Sequence, residues 1–354
     1  MGNIYIGDSN SKARKIKSAY IGIEGVARKV KQAYIGDENG KARLIWSSQS
    51  SMCGNIACLY GNYLYLSNDN FVTYTKYTNG YEIMNCICFC KDAFYIGTSY
   101  GKVFSFKDGT FTNLYNSSAQ KDIFGVCVHD NNIVFYSYSK TIVSKDGGKT
   151  WTEQEMGVDY NFDYGNDKCM IHNGTEFVCI KPSGYIYTST TGEVWTKKSL
   201  AVTKYKYLFY VNGRYYAASD GVASFYYSTD LINWTACRNY VGESWIPSGE
   251  SSTRNTVPKI SYINGVYTLS QTNQISIPTA YSTDGIYWNT VSSNYPIGGL
   301  AFNSFNCGDR IIMFGNSSST GYYDRSVWIT TDGIHYNRIT NVEFNANSIA
   351  YANE

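Results

Sequence analysis

Short runs of alternating hydrophobic and polar residues, separated by turns rich in Gly, Asn and Asp, make up most of the chain after residue 47. In the segment 125–138, for example, GVCVHD leads through NN into IVFYSY. A period of two is typical of β-strands, and a two-residue Asn or Gly turn between two such runs indicates a hairpin. Similar turns occur at 91–92, 173–174, 212–213, 264–265 and 308–309. The pattern predicts an all-β protein.

A smaller repeat occupies residues 1–46. A YIG triplet begins at Tyr5, Tyr20 and Tyr34, and each is followed by a polar turn and a basic alternating run: KARKIK, VARKVK and KARLIW. We expect three β-hairpins, which bury too little apolar surface to be stable alone and so pack on a partner, a second copy or the larger domain. The basic runs leave nucleic acid or an anionic surface open as a partner, although they also suit a solvated strand face.

These units resemble the short YIG…VARKVK repeats of tail and minor structural proteins from phages and prophages of Gram-positive bacteria. The resemblance covers residues 1–46. It implies a virion protein whose N-terminal segment docks onto other tail or baseplate proteins.

A longer repeat follows, and we call its units boxes. Each box has a Ser or Thr, then Asp or Thr, then Gly or a substitute, and a final aromatic residue. The five clear boxes are SKDGGKTW (144–151), TSTTGEVW (188–195), STDLINW (228–234), STDGIYW (282–288) and TTDGIHY (330–336). Asp accepts backbone N–H bonds within such a turn, Gly supplies a positive φ, and the aromatic ring packs beneath it. SNDNFVTY (67–74) and FSFKDGTF (104–111) are degenerate copies, so seven units of about 44 residues are predicted, the size of four-stranded propeller blades.

The boxes resemble the Asp-box, or BNR repeat, of sialidase-like β-propellers. The resemblance implies the fold and a structural role for the box aspartates, but no single function, since such boxes occur in sialidases, xyloglucanases, sortilin-like receptors and binding proteins. The first box follows only two strands, and NSIAYANE (347–354) matches the first strand of other units. We therefore expect a seven-bladed β-propeller over residues 47–354, closed by the C-terminal strand. The box aspartates are Asp69, Asp108, Asp146, Asp230, Asp284 and Asp332.

The long insertions of the predicted propeller fall on one face. In a blade with strands A to D, the A–B turns and the boxes share one face of the ring, and the D–A and B–C loops share the other. The second face holds the insertions at 153–167, 236–258, 271–277 and 315–325. Aromatic rings among polar groups suit sugars, so we expect a glycan-binding surface there; the alternative is ordinary loop tyrosines. The candidate residues are Tyr160, Tyr164, Tyr240, Trp245, Arg254, Tyr322 and Tyr323.

Catalysis is not the favoured interpretation. A sialidase resemblance would imply three clustered arginines and an RIP motif before the first box, but RIP is absent and no Arg of residues 47–354 precedes Arg214. The spacing of the histidines and of the CICFC run predicts no catalytic residue, metal or cofactor. A two-carboxylate glycosidase stays open, and its candidate loop carboxylates are Asp159, Asp163, Glu243 and Glu250.

Composition narrows the function classes. The 354 residues carry 30 Lys and Arg against 28 Asp and Glu, and the positive excess lies in residues 1–46, which leaves the predicted propeller slightly acidic. Nucleic-acid binding by the ring is therefore not expected. No apolar run is long enough for membrane insertion, and the N-terminus lacks the apolar core of a signal peptide, so we expect synthesis in the bacterial cytoplasm. The ten cysteines are expected to be buried thiols.

The combined hypothesis is a phage or prophage tail or baseplate protein located in the virion. Residues 1–46 would attach it to other virion proteins. The propeller would bind a host surface polysaccharide or glycan, in a homo-oligomer or multicopy assembly that gains avidity. Two alternatives stay open: a tail-associated glycoside hydrolase and a purely structural virion component.

Overall fold

The computed structural model describes the backbone of six strands within residues 1–47, and beyond them residues 56–138, 140–156, 169–181, 185–200, 207–218, 225–239, 258–271, 280–290, 301–317, 324–344 and 346–352. The chain forms two units, Met1–Gly54 and Asn55–Asn353. This division lies a few residues past the one predicted at residue 46. In the described part of the chain, no helix has the length and apolar character that a bilayer crossing needs.

The first unit consists of antiparallel hairpins, and a YIG triplet lies in the first strand of each. β1 (Tyr5–Gly7) pairs with β2 (Ala13–Lys15), β3 (Ala19–Ile23) with β4 (Val26–Val30), and β5 (Gln32–Gly36) with β6 (Ala42–Ser47). The N-terminal β-hairpin repeat predicted from the triplets is confirmed.

The second unit is a seven-bladed β-propeller, in which strands A to D of each blade run from the axis outward. Blade 1 contains β7 (Ile56–Tyr60), β8 (Tyr63–Ser67) and β9 (Thr75–Thr78) as strands B to D. Blade 2 contains β10 (Met84–Cys90), β11 (Ala93–Thr98), β12 (Lys102–Lys107) and β13 (Thr110–Asn116). Blade 3 contains β14 (Gly125–His129), β15 (Asn132–Ser137), β16 (Lys140–Ser144) and β17 (Thr152–Glu155).

The other four blades follow in chain order. Blade 4 contains β18 (Met170–His172), β19 (Phe177–Ile180), β20 (Tyr185–Ser189) and β21 (Thr196–Leu200). Blade 5 contains β22 (Tyr207–Val211), β23 (Arg214–Ala218), β24 (Phe225–Ser228) and β25 (Thr235–Ala236), which β26 (Arg238–Asn239) follows. Blade 6 contains β27 (Pro258–Ile263), β28 (Val266–Gln271), β29 (Ala280–Ser282) and β30 (Tyr287–Thr290). Blade 7 contains β31 (Ala301–Cys307), β32 (Arg310–Ser317), β33 (Asp324–Thr330) and β34 (Asn337–Asn341).

The C-terminal strand completes blade 1. β35 (Ser348–Tyr351) pairs antiparallel with β7, with Ser348 opposite Leu59 and Tyr351 opposite Ile56. The Ser348 hydroxyl oxygen also accepts the N–H of Ile87 in blade 2 at 3.2 Å. The ring is therefore closed by a pairing between the two ends of the propeller sequence, which removes an open sheet edge. The predicted closure is confirmed.

Blade 6 has a fifth strand that the sequence does not predict. Where a loop is expected from residue 236 onward, β26 pairs in parallel with β30. The N–H of Arg238 donates to the Ile286 carbonyl at 2.9 Å. The chain thus continues from the outer strand of blade 5 onto the outer edge of blade 6. A pairing between segments so far apart in sequence leaves no local pattern.

The core lies between neighbouring blades. Ile133, Val134, Phe135 and Tyr136 are fully buried, because a middle strand contacts other residues through both of its faces. By contrast, the innermost strands of the described sheets hydrogen-bond to one neighbour only. Their other edges surround the axis of the ring and present backbone donors and acceptors there.

The cysteines depart from prediction at one position. Among the described residues, eight cysteines are free thiols, and seven of these are buried. Cys307, at the end of β31, is buried and disulfide-bonded. The expectation of reduced thiols is therefore wrong for Cys307, because the proximity of two cysteines in the fold is not visible in their sequence spacing.

Candidate functional site

The predicted ligand residues do not fall within the described part of the chain. This holds for Tyr160, Tyr164, Tyr240, Trp245, Arg254, Tyr322 and Tyr323, and also for the loop carboxylates Asp159, Asp163, Glu243 and Glu250. Within the described residues, three regions are candidates for a functional site: the box turns, the shorter D–A and B–C loops, and the innermost strands of the blades.

The box turns hold their aspartates in a repeated hydrogen-bond pattern. In blade 3, Asp146 Oδ1 accepts the N–H groups of Lys149 and Thr150 at 2.9 and 3.0 Å. Asp146 also accepts the hydroxyl groups of Ser144 and Thr150 at 2.9 and 2.7 Å. The Ser144 hydroxyl oxygen in turn accepts the Gly148 N–H at 2.8 Å. The contact between the Asp and the preceding Ser or Thr recurs at Asp69, Asp230, Asp284 and Asp332.

Hydrogen bonding keeps these carboxylates ionised. The hydroxyl and N–H groups of Thr150 hold the pKa of Asp146 well below its ordinary value, and the N–H groups of Asn233 and Ile232 do the same for the pKa of Asp230. Partial burial acts in the opposite direction at three other boxes, but their hydrogen bonds prevail, so the pKa is lowered at Asp69, Asp284 and Asp332. A general acid needs a raised pKa, so these aspartates are unsuited to that role.

Two boxes depart from this pattern. In blade 4, Thr191 takes the place of Asp, and its hydroxyl oxygen accepts a backbone N–H within the turn at 3.3 Å. Asp108 lies in a two-residue turn between the paired residues Lys107 and Thr110, with φ of 49° at Asp108 and 81° at Gly109. Two consecutive positive φ values define a type I′ hairpin turn. The assignment of Asp108 to a box is therefore corrected, because an Asp-Gly pair satisfies both kinds of turn.

Box turns also pack on the blade that precedes them in the ring. Tyr216 Oη in blade 5 donates to the Gly285 carbonyl in the box of blade 6 at 3.2 Å. Tyr95 Oη in blade 2 donates to the Gly147 carbonyl in the box of blade 3 at 2.8 Å. A Cβ added to Gly285 would lie 2.2 Å from Tyr216 Oη, so the glycine is required for this close approach as well as for its φ of 71°.

The residues that meet across this contact differ between blade pairs. A Cβ added to Gly192, in the box of blade 4, would lie 2.3 Å from a methyl carbon of Val134 in blade 3. In blade 1 the glycine position holds Phe71, which has φ of 65° and a ring centroid 5.2 Å from that of Phe314 in blade 7. The boxes therefore join successive blades, a role that their sequence pattern does not indicate.

Two short loops on the face predicted to bind glycan carry exposed aromatic rings. Tyr81 lies between β9 and β10 and is 100% exposed, and Tyr100 lies between β11 and β12 and is 66% exposed. The Ser99 N–H and hydroxyl donate to the Ile83 carbonyl at 3.0 and 3.1 Å, which joins the two loops. Ile83 is also exposed. We call Tyr81, Ile83 and Tyr100 the tyrosine patch.

The backbone around the tyrosine patch is constrained. Glu82 forms an ion pair with Lys102 and accepts the Thr98 hydroxyl at 3.2 Å, which anchors the D–A loop beside Tyr81. Tyr100 has φ of 75°, an uncommon conformation for a bulky residue and one that concentrates at binding sites. Sequence analysis missed this patch because it selected long insertions, and both loops are short.

A cavity of about 490 Å³ lies between the innermost strands of blades 5, 6 and 7. Residues 209–212, 259–262 and 304–306 line it. Apart from Asn212, which follows β22, these segments belong to the innermost strands β22, β27 and β31. Its walls carry both aromatic rings and polar groups, among them Lys259, which is 6% exposed.

The fold also brings two histidines together. The ring centroids of His129 and His172, on neighbouring innermost strands, are 3.7 Å apart and the rings are 12° from parallel. Burial, and to a smaller extent the nearby His129, lower the pKa of His172 to about 4. Within the described ranges, no group of three His, Cys, Asp or Glu side chains could hold a metal ion. The stacked rings form a packing contact between blades 3 and 4.

Comparison with known proteins yields similarity of fold. No protein-family model and no curated protein sequence matches the chain. Among solved structures, the computationally designed Ika8 protein is 9% identical, with 84% of this chain and 89% of that chain covered and a TM-score of 0.50. YCF48 bound to D1 peptide is 13% identical over 72% of this chain and 81% of its own, with a TM-score of 0.49. The WD40 β-propeller domain of Doa1 is 12% identical over 75% and 86%, with a TM-score of 0.48. At these identities the similarity extends to the β-propeller architecture alone.

Proposed function

We propose that this chain is a phage or prophage tail or baseplate protein whose propeller binds a host surface glycan through its D–A and B–C loop face. The observation that carries the proposal is the tyrosine patch, in which two exposed rings stand on joined loops of a rigid scaffold. Two sequence repeats support the proposal. The YIG hairpins suit attachment to the virion, and the BNR-type boxes suit a carbohydrate-binding propeller.

The chemistry of the patch suits a sugar. A pyranose ring presents C–H groups on one face, which stack on aromatic rings, and hydroxyl groups at its rim, which need hydrogen-bond partners. Tyr81 and Tyr100 offer ring faces and phenolic hydroxyl groups, and the Ser99 hydroxyl and Glu82 carboxylate lie beside them in sequence.

A weak single site is sufficient for this function. The attachment of the N-terminal hairpins to other virion proteins would display several propellers on one particle. Simultaneous contacts raise the overall affinity by orders of magnitude without any new interaction at each site. The protein would be made in the bacterial cytoplasm and act in the virion.

The test is binding of the labelled full chain to intact Gram-positive bacteria, with and without removal of surface polysaccharide. We expect saturable binding that is lost on removal, and a loss of about fivefold in affinity for Tyr81→Ala and for Tyr100→Gly, since one stacking contact contributes about 1 kcal/mol. Glycine at position 100 retains the positive φ, so that variant tests the ring and not the backbone. The matched control is Tyr287→Ala, a 48% exposed tyrosine within the box 282–288 on the opposite face.

Four outcomes would contradict the proposal. Equal losses for the control and the patch variants would place the site elsewhere. Binding that survives removal of polysaccharide would indicate a protein receptor. Absence of binding to every strain, with normal folding, would favour a purely structural virion component, whereas release of soluble sugar would favour the hydrolase.

A further inference from the structure

We propose that the outer edge of β13 (Thr110–Asn116) is an interface at which two copies of this chain pair, strand against strand and antiparallel. The pairing would join the four strands of blade 2 to the same four strands of a second copy in one continuous sheet. It is independent of the proposed glycan surface, because it uses the backbone of an outermost strand and no residue of the tyrosine patch.

The outer edge of β13 carries free backbone groups. Among the described strands, β13 hydrogen-bonds to β12 alone. The two-residue turn before Thr110 makes Lys107 and Thr110 a hydrogen-bonded pair. Alternation along the strand then directs the N–H and C=O groups of Phe111 and Asn113 away from β12. Such a row of donors and acceptors is a template for the addition of another strand.

The lack of charge distinguishes β13 from the other outermost strands. Its seven residues, TFTNLYN, include no charged residue, no proline and no glycine. In blade 6 the outermost strand is covered by β26. The other described outermost strands of four residues or more carry charges, which discourage pairing at an edge: Lys76 in β9, Glu153 and Glu155 in β17, Lys197 and Lys198 in β21, and Arg338 in β34. Within the described blades, β13 is therefore the longest outermost strand and the one that lacks this protection.

A β-bulge sets the length of the edge that can pair. The pairing of β13 with β12 skips Leu114, so the regular part of the strand ends at Asn113. Within that part, Thr110, Thr112 and Asn113 are exposed. A short, regular and exposed segment suits a weak and reversible contact.

A second copy of the same strand fits this edge in one register. Antiparallel pairing about a two-fold axis at Thr112 places Phe111 opposite Asn113 of the second copy, and Asn113 opposite Phe111 of the second copy. A hydrogen-bonded pair exchanges both of its N–H···O bonds, so every outward backbone group of these two residues gains a partner. Thr112 then lies opposite its own copy, and a cross-strand pair of threonines stabilises an antiparallel sheet.

The distribution of charge favours self-pairing at β13 over self-pairing at the other edges. A strand that pairs with its own copy brings like charges together, and like charges opposite each other are destabilising. Self-pairing would bring carboxylates together at β17 and ammonium groups together at β21, whereas β13 brings no charges together. A two-fold contact also uses both edges at once, so association through β13 ends at a dimer.

The experiment places a cysteine at the predicted axis of the full chain. A cross-strand pair of the non-hydrogen-bonded kind has its Cα atoms about 4.5 Å apart, within the range of a disulfide. We expect Thr112→Cys to form a covalent dimer under mild oxidation with diamide, seen on a non-reducing gel. The matched control is Thr110→Cys, which lies opposite Leu114 of the second copy and should give no more covalent dimer than the parent chain.

An exchange of charge tests the same register without a covalent bond. In analytical ultracentrifugation, Thr112→Lys and Thr112→Glu should each associate about tenfold more weakly than the parent chain, because like charges meet at the axis. An equimolar mixture of the two variants should restore association. The matched control is Thr75→Lys, an exposed position on the outermost strand β9, which should associate as the parent chain does.

A proline variant removes backbone hydrogen bonds from the interface alone. The N–H of Asn113 points away from β12, so Asn113→Pro should keep a native near-ultraviolet circular dichroism spectrum and weaken association by about tenfold or more. Four results would overturn the proposal: a parent chain that is monomeric at every concentration, equal cross-linking of the two cysteine variants, a mixture that associates no better than its components, or a folded Asn113→Pro that associates as the parent chain does.

Discussion

The contact between a box and the preceding blade can be measured by adding one methyl group. In Gly285→Ala the new Cβ would lie 2.2 Å from Tyr216 Oη, 2.8 Å from an Arg214 nitrogen and 3.1 Å from Tyr267. The control is Gly213→Ala, in an A–B turn: φ is 76° there against 71° at Gly285, but nothing lies within 4 Å of the added Cβ. The two variants share the backbone strain and differ in the packing between blades 5 and 6.

The expected magnitudes follow from this difference. A left-handed backbone costs a non-glycine residue about 1–2 kcal/mol, so Gly213→Ala should lower the free energy of unfolding by about that amount. Overpacking adds about 1–3 kcal/mol, so Gly285→Ala should lower it by about 2–5 kcal/mol. Tyr216→Phe removes the hydroxyl that the methyl group would meet, together with one hydrogen bond that contributes about 1 kcal/mol. The double variant should therefore cost less than the sum of its two parts by about 1–3 kcal/mol.

Urea unfolding followed by tryptophan fluorescence provides the measurement, since Trp288 is buried and its ring centroid lies 6.5 Å from that of Tyr216. The parent chain and the four variants are compared by linear extrapolation, with equal slopes as the check on a common mechanism. The box does not limit the packing between these blades if the two alanine variants lose the same free energy of unfolding within about 0.5 kcal/mol. The same conclusion follows if the loss in the double variant equals the sum of the losses in the two single variants.

Three further predictions concern charge and closure. The free energy of unfolding should fall as the pH drops below about 4, because the box aspartates bind protons in the unfolded chain but stay ionised in the folded one. Asp230→Asn should make this decline shallower. If the pH dependence of the free energy of unfolding is the same in the variant and the parent chain, the lowered pKa of Asp230 is refuted. The pKa of His172 is lowered to about 4, so this side chain should remain neutral at about pH 5 in a nuclear magnetic resonance titration. The free energy of unfolding should also fall as the pH drops from about 6.5 to 4, because His172 takes up a proton in the unfolded chain and not in the folded one. Titration of His172 near pH 6.5 would contradict the stacked geometry. A chain that ends at residue 346 lacks β35 and exposes the edge of β7. Light scattering should then detect association of these chains, and the thermal unfolding transition should broaden. A truncated chain that stays monomeric and unfolds like the parent chain would argue against ring closure by β35.

The features that sequence reasoning predicted correctly are those with local chemistry. A hairpin was predicted from the Asn-Gly pair at 212–213, and both residues have positive φ, as a type I′ turn requires. The number of blades followed because most units are marked by a box, an A–B turn or both, formed by residues close in sequence. The same reasoning failed at Asp108, where Asp-Gly fits a box and a simple hairpin equally well.

What sequence reasoning missed depends on contacts between distant segments. The pairing of β26 with β30, the stacking of His129 on His172 and the cavity between blades 5 and 7 all arise only when blades are placed side by side. Tyr81 and Tyr100 were missed for a different reason. A chain with 35 tyrosines offers no pattern that separates a buried ring from an exposed one in a short loop.

The contact of each box with the blade before it gives the ring a fixed order of neighbours. Gly285 is matched to Tyr216, Gly192 to Val134 and Phe71 to Phe314, so the partners cannot be exchanged freely between positions. Circular permutation keeps all of these pairs together and should preserve the ring. Exchange of whole blades between positions separates them, so a blade moved by evolution or by an engineer needs a matched change in the blade that its box contacts.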